Sequence, residues 1–255
     1  MKFVHLSDAH LVTPGEWLLG LDPLARLEAC LADIERHHAD AAVVVITGDL
    51  SETGTPDTYR SLRAALSRTQ LPIRLLMGNH DNREAFAQQF PESVATDGFI
   101  HSIFDGPDGR LIFLDTLDQG QVTGKLCPLR LAWLSERLDE AKDRPVYLFM
   151  HHPAGRVHLP ALDSIGLSSP EVFFEAVRRH GNVRHIFAGH LHRLVTGRWQ
   201  GVPFTILRST NHQTALDFVS ERTSSSFEPP LYSIVLIEGE DMVMHFHEFP
   251  TGAAA

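Results

Sequence analysis

Five short pieces of the chain carry residue types that bind metals or move protons. They are Ser7-Asp8-Ala9-His10, Gly48-Asp49, Gly78-Asn79-His80-Asp81, His151-His152 and Gly189-His190-Leu191-His192. Carboxylate, imidazole and amide oxygen together suit borderline first-row ions such as Mn, Fe, Co and Zn. Asp8, His10, Asp49, Asn79, His151, His190 and His192 are too many ligands for one such ion but fit two if a carboxylate is shared. Asp49 is the natural bridge, since a carboxylate offers two oxygens. Asp8 and His10 are two residues apart, as are His190 and His192. In extended backbone such pairs point to the same side, so Asp8 and His10 are expected to hold one ion, with His190 and His192 repeating the geometry. Two ions ~3.5–4 Å apart can clamp both the attacking and the leaving oxygen of a phosphoryl transfer.

The elements that must position these residues are legible in the apolar pattern. Each piece follows an apolar run: Lys2–Leu6, Val43–Thr47, Ile73–Met77, Val146–Met150 and Val183–Ala188. Such runs read as buried parallel strands. The ligand types therefore sit at carboxyl ends of strands, where open α/β sheets place their ligands. Helical patterns cover Asp22–His38, with Pro23 in the first turn, Pro56–Ser67, with Thr55 as cap, and Arg83–Phe90. The first part is thus βαβαβ, the grammar of a parallel sheet.

After residue 98 the grammar changes. Phe99–Phe104 and Arg110–Asp115 flank Gly106-Pro107-Asp108-Gly109 as a hairpin. Helices are expected over Pro128–Lys142 and Pro170–His180, and a long loop over Pro153–Ser169. Loops of that length in compact domains are often functional. Val195–Trp199 with Phe204–Leu207, and Tyr232–Ile237 with Met242–Phe249, read as further hairpins. Mixed strands in the second half suggest a second sheet packed on the first. The expectation is an α/β fold with a second sheet packed on the first. It forms a single domain over residues 1–250, with 251–255 as a tail.

Composition sets limits on function. With 43% apolar residues, the 255-residue chain can bury a sizeable core. A net charge of −10 and no basic block speak against extended nucleic acid as a partner. A small anionic substrate remains open, because bound cations dominate a site's local field. Cys30 and Cys127 form no CxxC pair or disulfide framework and read as core or loop thiols. No run reaches the ~18 apolar residues of a membrane span. The N-terminus lacks a basic, then apolar, leader. These features lead to the expectation of a cytoplasmic protein with no membrane partner.

D-x-H, G-D, G-N-H-D, H and G-H-x-H, in this order from Asp8 to His192, resemble the calcineurin-like metallophosphoesterase superfamily. The resemblance implies a double β-sandwich, a four-layer sandwich of two mixed β-sheets flanked by helices, and a dinuclear metal centre of divalent or mixed-valence ions. By position, Asp8, His10, Asp49 and His192 resemble the ligands of one ion, and Asp49, Asn79, His151 and His190 those of the other. His80 resembles the residue that contacts the phosphate or leaving oxygen, and Asp81 the one that orients it. His151 is preferred over His152 because it directly follows the strand. Ser209-Thr210-Asn211-His212-Gln213 resembles a late segment supplying a substrate-side histidine, His212.

Purple acid phosphatases carry Tyr three residues after the bridging Asp, where this chain has Glu52. Lipid-A-pathway pyrophosphatases carry Arg after the Asn, where it has His80. VHLSDAHL, ITGDLSETG, MGNHD, MHHP and IFAGHLH instead resemble the bacterial class III cyclic-nucleotide and glycerophosphodiester phosphodiesterases. Members commonly read His-His-Pro-Pro, whereas this chain has Ala154 at the last position. The implied function is hydrolysis of small phosphodiesters, such as 3′,5′- or 2′,3′-cyclic AMP or glycerophosphodiesters, by a hydroxide bridging two metals. Alternatives are a phosphomonoesterase or protein phosphatase with the same centre, or a non-catalytic metal-bound regulatory domain. A homo-oligomer, dimer or larger, is compatible with this reading.

Among the remaining histidines, His5 reads as a satisfied sheet residue. His37, His38, His180 and His185 read as solvated or capping residues at helix ends or in a loop. His245 and His247 read as a plain sheet face, and His101 and His158 as within reach of the cleft.

Overall fold

The computed structural model describes residues 1–251; residues 252–255 of the expected tail lie outside it. Strands β1 (Lys2–Leu6), β2 (Val44–Ile46) and β3 (Ile73–Leu75) run parallel. The C-terminal hairpin, β12 (Leu231–Glu238) and β13 (Asp241–Glu248), completes this sheet in the order β13-β12-β1-β2-β3. The second sheet has the order β4-β5-β6-β7-β9-β8. Its strands are β4 (Ser102–Gly106), β5 (Gly109–Phe113), β6 (Val146–Phe149), β7 (Val183–Ala188), β8 (Val195–Trp199) and β9 (Val202–Ile206). A small ribbon of β10 (Gln213–Thr214) and β11 (Ser225–Ser226) stands apart.

The mixed strands of the second half do not all enter the second sheet, as the pattern suggested. β12 instead pairs antiparallel with β1, Phe3 opposite Val235. This gives the first strand of the chain a partner on its second edge. Nothing local in residues 231–248 encodes which sheet they join; that is decided by which edge is free.

Alternation along each strand builds four layers. Val4, Leu6, Val44 and Ile46 face helices α1 (Pro23–His37), α2 (Pro56–Leu66) and α3 (Arg83–Gln89) through Leu27, Leu31, Ile34, Tyr59, Leu62 and Phe86. Ile112, Leu148 and Ile186 face α4 (Pro128–Glu140) and α5 (Pro170–His180). Between the sheets lie Phe3, Val45, Phe113, Phe149, Phe187 and Val235. Phe149 and Phe187 stack at 4.6 Å, with Phe3 edge-on at 5.5 Å to both. Both faces of the inner strands are therefore covered, which is why they read as continuous apolar runs. Asp22, Thr55 and Asn82 accept from backbone N–H groups in the first turns of α1, α2 and α3.

His185 is not at a helix end or in a loop but inside β7, buried and bonded to the Thr205 hydroxyl at 2.9 Å. His5 makes the same kind of bond to Thr47 at 2.8 Å. Burial lowers the pKa of His5 to about 3 and that of His185 to about 4. The unfolded chain takes up these protons near the ordinary histidine value of ~6.5. Stability from these groups is thus complete above pH ~6.5 and is lost as pH falls toward 4, with up to ~3 kcal/mol from His185. Thermal melts between pH 7 and 4 should show the decline, and His185→Gln should flatten it. An unchanged slope in the variant would refute the assignment.

Candidate metal centre

Every expected ligand comes to one place, at the carboxyl ends of β1, β2, β6 and β7 and in the turn after β3. The local backbone is not extended. Asp8, His10, Asp49, His190 and His192 all have positive φ, between 45° and 72°. Non-glycine residues adopt this region at a cost, and such strain clusters at functional sites. The i, i+2 argument therefore fails for both pairs. Asp8 and His10 converge because left-handed turns fold them back. His190 and His192 diverge, each toward a different half of the cluster. The flanking glycines make room: a Cβ at Gly78 would collide with the Asp49 carboxylate, and one at Gly189 with the Ser7 hydroxyl.

Ligating atoms of Asp8, His10, Asp49 and His192 lie within 4.8 Å of one another, as do those of His151, His152 and His190. Asp49 joins the halves: its Oδ2 is 3.5 Å from His10 Nε2 and 3.3 Å from His151 Nε2. Asn79 Oδ1 lies 3.2 Å from His151 Nε2. The Asp8 carboxylate accepts from the His190 N–H at 3.0 Å and sits 3.5 Å from His192 Nε2.

The second nitrogen of each imidazole explains how the rings are held. His10 Nδ1 donates to Glu52 Oε2 at 2.6 Å, and His151 Nδ1 to the Thr47 carbonyl at 2.7 Å. His190 Nε2 donates to the Ile165 carbonyl at 2.9 Å, and His192 Nδ1 to the His212 carbonyl at 2.9 Å. Carbonyls and carboxylates only accept, so these four bonds fix the tautomers. The other nitrogens then present lone pairs to one another: His10 Nε2 to His192 Nε2 at 2.9 Å, and His151 Nε2 to His190 Nδ1 at 3.1 Å. Facing lone pairs at such distances call for positive charge between them, which a proton or a metal ion can supply. The same oxygen-backed arrangement orients histidines in metal sites. The donor set therefore fits two ions.

The electrostatics agree. Burial alone would lower the pKa of His151, but the charge and hydrogen bond of Asp49, with Asp8 behind, push it up to about 9. Burial would raise that of Asp8, but His192 and His151 pull it down to about 2. The pocket thus draws positive charge onto nitrogens that face carboxylates, as a cation site does.

His80 stands at the rim with its side chain 36% exposed, its Nδ1 donating to the Glu52 carbonyl at 2.9 Å. Its ring is 4.8 Å from that of His10. Asp81 does not orient it. The buried Asp81 carboxylate accepts from the N–H groups of Leu50, Ser51 and Gly78 and from the Tyr59 hydroxyl at 3.0 Å. It ties the turn after β3 to the turn after β2, and burial, then the Asp49 charge, raise its pKa to about 7. Neighbouring residues in a tight turn point apart, and the amides of the adjoining loop reach Asp81 before the His80 ring can.

His152 packs behind His151 with Nδ1 on the Thr116 hydroxyl at 2.8 Å, and has none of the Asp49 contact that His151 makes. The His212 ring lies 4.6 Å from that of His192 and 5.3 Å from that of His10, so it does flank the centre. Burial, then His192 and His10, lower its pKa to about 3. Loop 153–169 reaches the centre through the Ile165 carbonyl, while His158 is exposed on it. His101 instead stacks on Trp133 at 3.9 Å, and His245 and His247 lie on the exposed face of β13. Glu52 is the functional side chain that the motifs did not single out; position 52 stood out only as the place where a tyrosine is missing. A carboxylate three residues beyond the bridging Asp was the available signal.

Residues 1–194 match the family profile described as calcineurin-like phosphoesterase. A probable cyclic nucleotide phosphodiesterase of Rhodopseudomonas palustris is 42% identical over 251 residues, covering 96% of this chain and 91% of that protein. A 3′,5′-cyclic adenosine monophosphate phosphodiesterase of Pseudomonas aeruginosa is 31% identical, covering 74% and 69%. A probable glycerophosphodiester phosphodiesterase of Arcobacter nitrofigilis is 27% identical, covering 90% and 86%. Among solved structures, a dimetal phosphatase from Danio rerio superposes with a TM-score of 0.70 at 16% identity, over 98% of this chain and 96% of that one, a likeness of fold.

Proposed function

Since the chain belongs to the calcineurin-like phosphoesterase family, we propose that it is a metal-dependent phosphodiesterase acting on small phosphodiesters, cyclic nucleotides or glycerophosphodiesters. The observation that carries the reading is the set of four histidines whose outer nitrogens are spent on protein oxygens and whose inner nitrogens face one another, three of them beside Asp8 or Asp49. Asp8, His10, Asp49 and His192 would hold one ion, and Asp49, Asn79, His151 and His190 the other. Imidazole with carboxylate and amide oxygen selects Mn, Fe, Co or Zn. When bound, two such ions supply Lewis acidity and water activation at neutral pH.

The chain's own residues do the rest. Asp49 and Asp8 balance the positive charge of the centre in a buried setting. His80, with Nδ1 committed to the Glu52 carbonyl, turns Nε2 to the substrate side. From there it donates to a phosphoryl oxygen or hands a proton to the leaving oxygen. Asp81 keeps the His80 turn against the Asp49 turn. His212 meets the ester group beyond the phosphate. Arg83, the cation nearest in sequence to His80, is engaged with Asp115 at 2.9 and 3.0 Å and stacks on Phe99, so it does not serve the phosphate. A diester carries one charge against a monoester's two and needs fewer cations around it, which favours the diester.

Mn-loaded protein tests this with bis(p-nitrophenyl) phosphate against p-nitrophenyl phosphate. A panel of 3′,5′- and 2′,3′-cyclic nucleotides and glycerophosphodiesters extends the test. The diester should have the higher kcat/KM. Faster turnover of the monoester would replace this reading with a phosphomonoesterase using the same centre.

A further inference from the structure

We propose that Gln213 is a positioning residue of the metal centre: paired with Ser209, it fixes the turn whose His212 carbonyl sets the tautomer of His192. The inference rests on the reading of His192 as a metal ligand. The Gln213 side chain closes a ring on Ser209, accepting from its N–H at 3.0 Å and donating to its carbonyl at 2.8 Å. An amide side chain thereby takes the place of a neighbouring strand. Ser209, Thr210, Asn211 and Gln213 are all essentially buried, so an unmade bond here is costly.

The braced turn is tied to two of the three loops that carry the first half of the centre, those of Asp8 and His192. The Ser209 hydroxyl donates to the Asp8 carbonyl at 2.6 Å and accepts from the Asn211 N–H at 2.8 Å. Thr210 N–H donates to the Ser7 carbonyl, and Thr214 N–H to the His192 carbonyl. The functional output is the His212 carbonyl on His192 Nδ1. The other three oxygens that hold tautomers have supports of their own. Thr47 directly follows β2, Glu52 reaches out from the turn that Asp81 clamps, and Ile165 lies two residues from Asp163, which accepts from the Val157 and His158 N–H groups. The His212 carbonyl lies in a turn between β9 and β10, and the Gln213–Ser209 ring is what closes that turn. Without the ring the carbonyl drifts, Nδ1 loses its acceptor, and the lone pair on Nε2 is no longer guaranteed to face the centre. Losing such an outer partner typically costs ~10–100-fold in metal affinity.

Zn²⁺ titration of the full-length protein, followed by competition with a chelator, tests the proposal alongside ¹⁵N spectra of the histidine rings. Gln213→Met removes both amide bonds at similar volume. Gln213→Glu keeps the acceptor for the Ser209 N–H but replaces the donor with an oxygen that faces the Ser209 carbonyl. Both should weaken one Zn²⁺ binding step, Gln213→Met by ~10–100-fold, and broaden or shift the His192 ring nitrogens. The other step should change much less. His192→Ala identifies which step belongs to His192. If His192→Ala leaves both steps intact, His192 is not a ligand and the underlying reading fails. If His192→Ala abolishes a step while folded Gln213 variants bind Zn²⁺ like the parent and merely melt earlier, Gln213 is a structural residue and the proposal is overturned.

Discussion

Asp49→Ala is expected to empty both halves of the centre at once. The Asp49 carboxylate lies within 3.5 Å of a ring nitrogen from each half, and it is the anion that sustains the raised pKa of His151. Removing it takes away the bridge and leaves buried imidazoles facing one another. Metal content should fall from two ions per chain to below one. Turnover should drop on the order of 10³-fold or more, the equivalent of several kcal/mol of lost charge stabilisation. The fold should survive, because the carboxylate makes one polar contact outside the cluster, to the His80 N–H at 3.0 Å. Asp49→Asn separates charge from strain: it keeps an acceptor for that N–H and tolerates the +45° φ that alanine dislikes. Metal analysis beside circular dichroism reads the result. An active, fully metallated Asp49→Ala protein would remove the case for a shared carboxylate.

His80→Ala should do the opposite to the metals. Its ring is anchored to the Glu52 carbonyl, outside the converging nitrogens, and is partly open to solvent. Both ions should remain bound while kcat falls on the order of 10²-fold or more, the size of effect seen when a single charge-stabilising donor is lost. Metal content falling in step with activity would instead make His80 a ligand. Glu52 links the two experiments, since its carboxylate holds His10 and its carbonyl holds His80.

The sequence by itself determined the candidate ligand set, because that set is written in residue types. An apolar run that stops at Asp or His is legible without coordinates, and five such stops in one chain leave little else to build. It also marked the inner strands as buried on both faces, since such strands read as unbroken apolar runs. Three things were decided only by the tertiary structure. The C-terminal hairpin joins the first sheet because an edge of β1 is free there, a fact that residues 231–248 do not contain. Left-handed turns at Asp8, His10, Asp49, His190 and His192 bring Asp8 and His10 together and send His190 and His192 to different halves of the cluster, which an extended chain would not do. Finally, three of the four oxygens that fix the tautomers, those of Thr47, Ile165 and His212, are backbone carbonyls. Every residue carries such an oxygen, so no residue type marks which one will stand behind a histidine; only the path of the folded chain places it there.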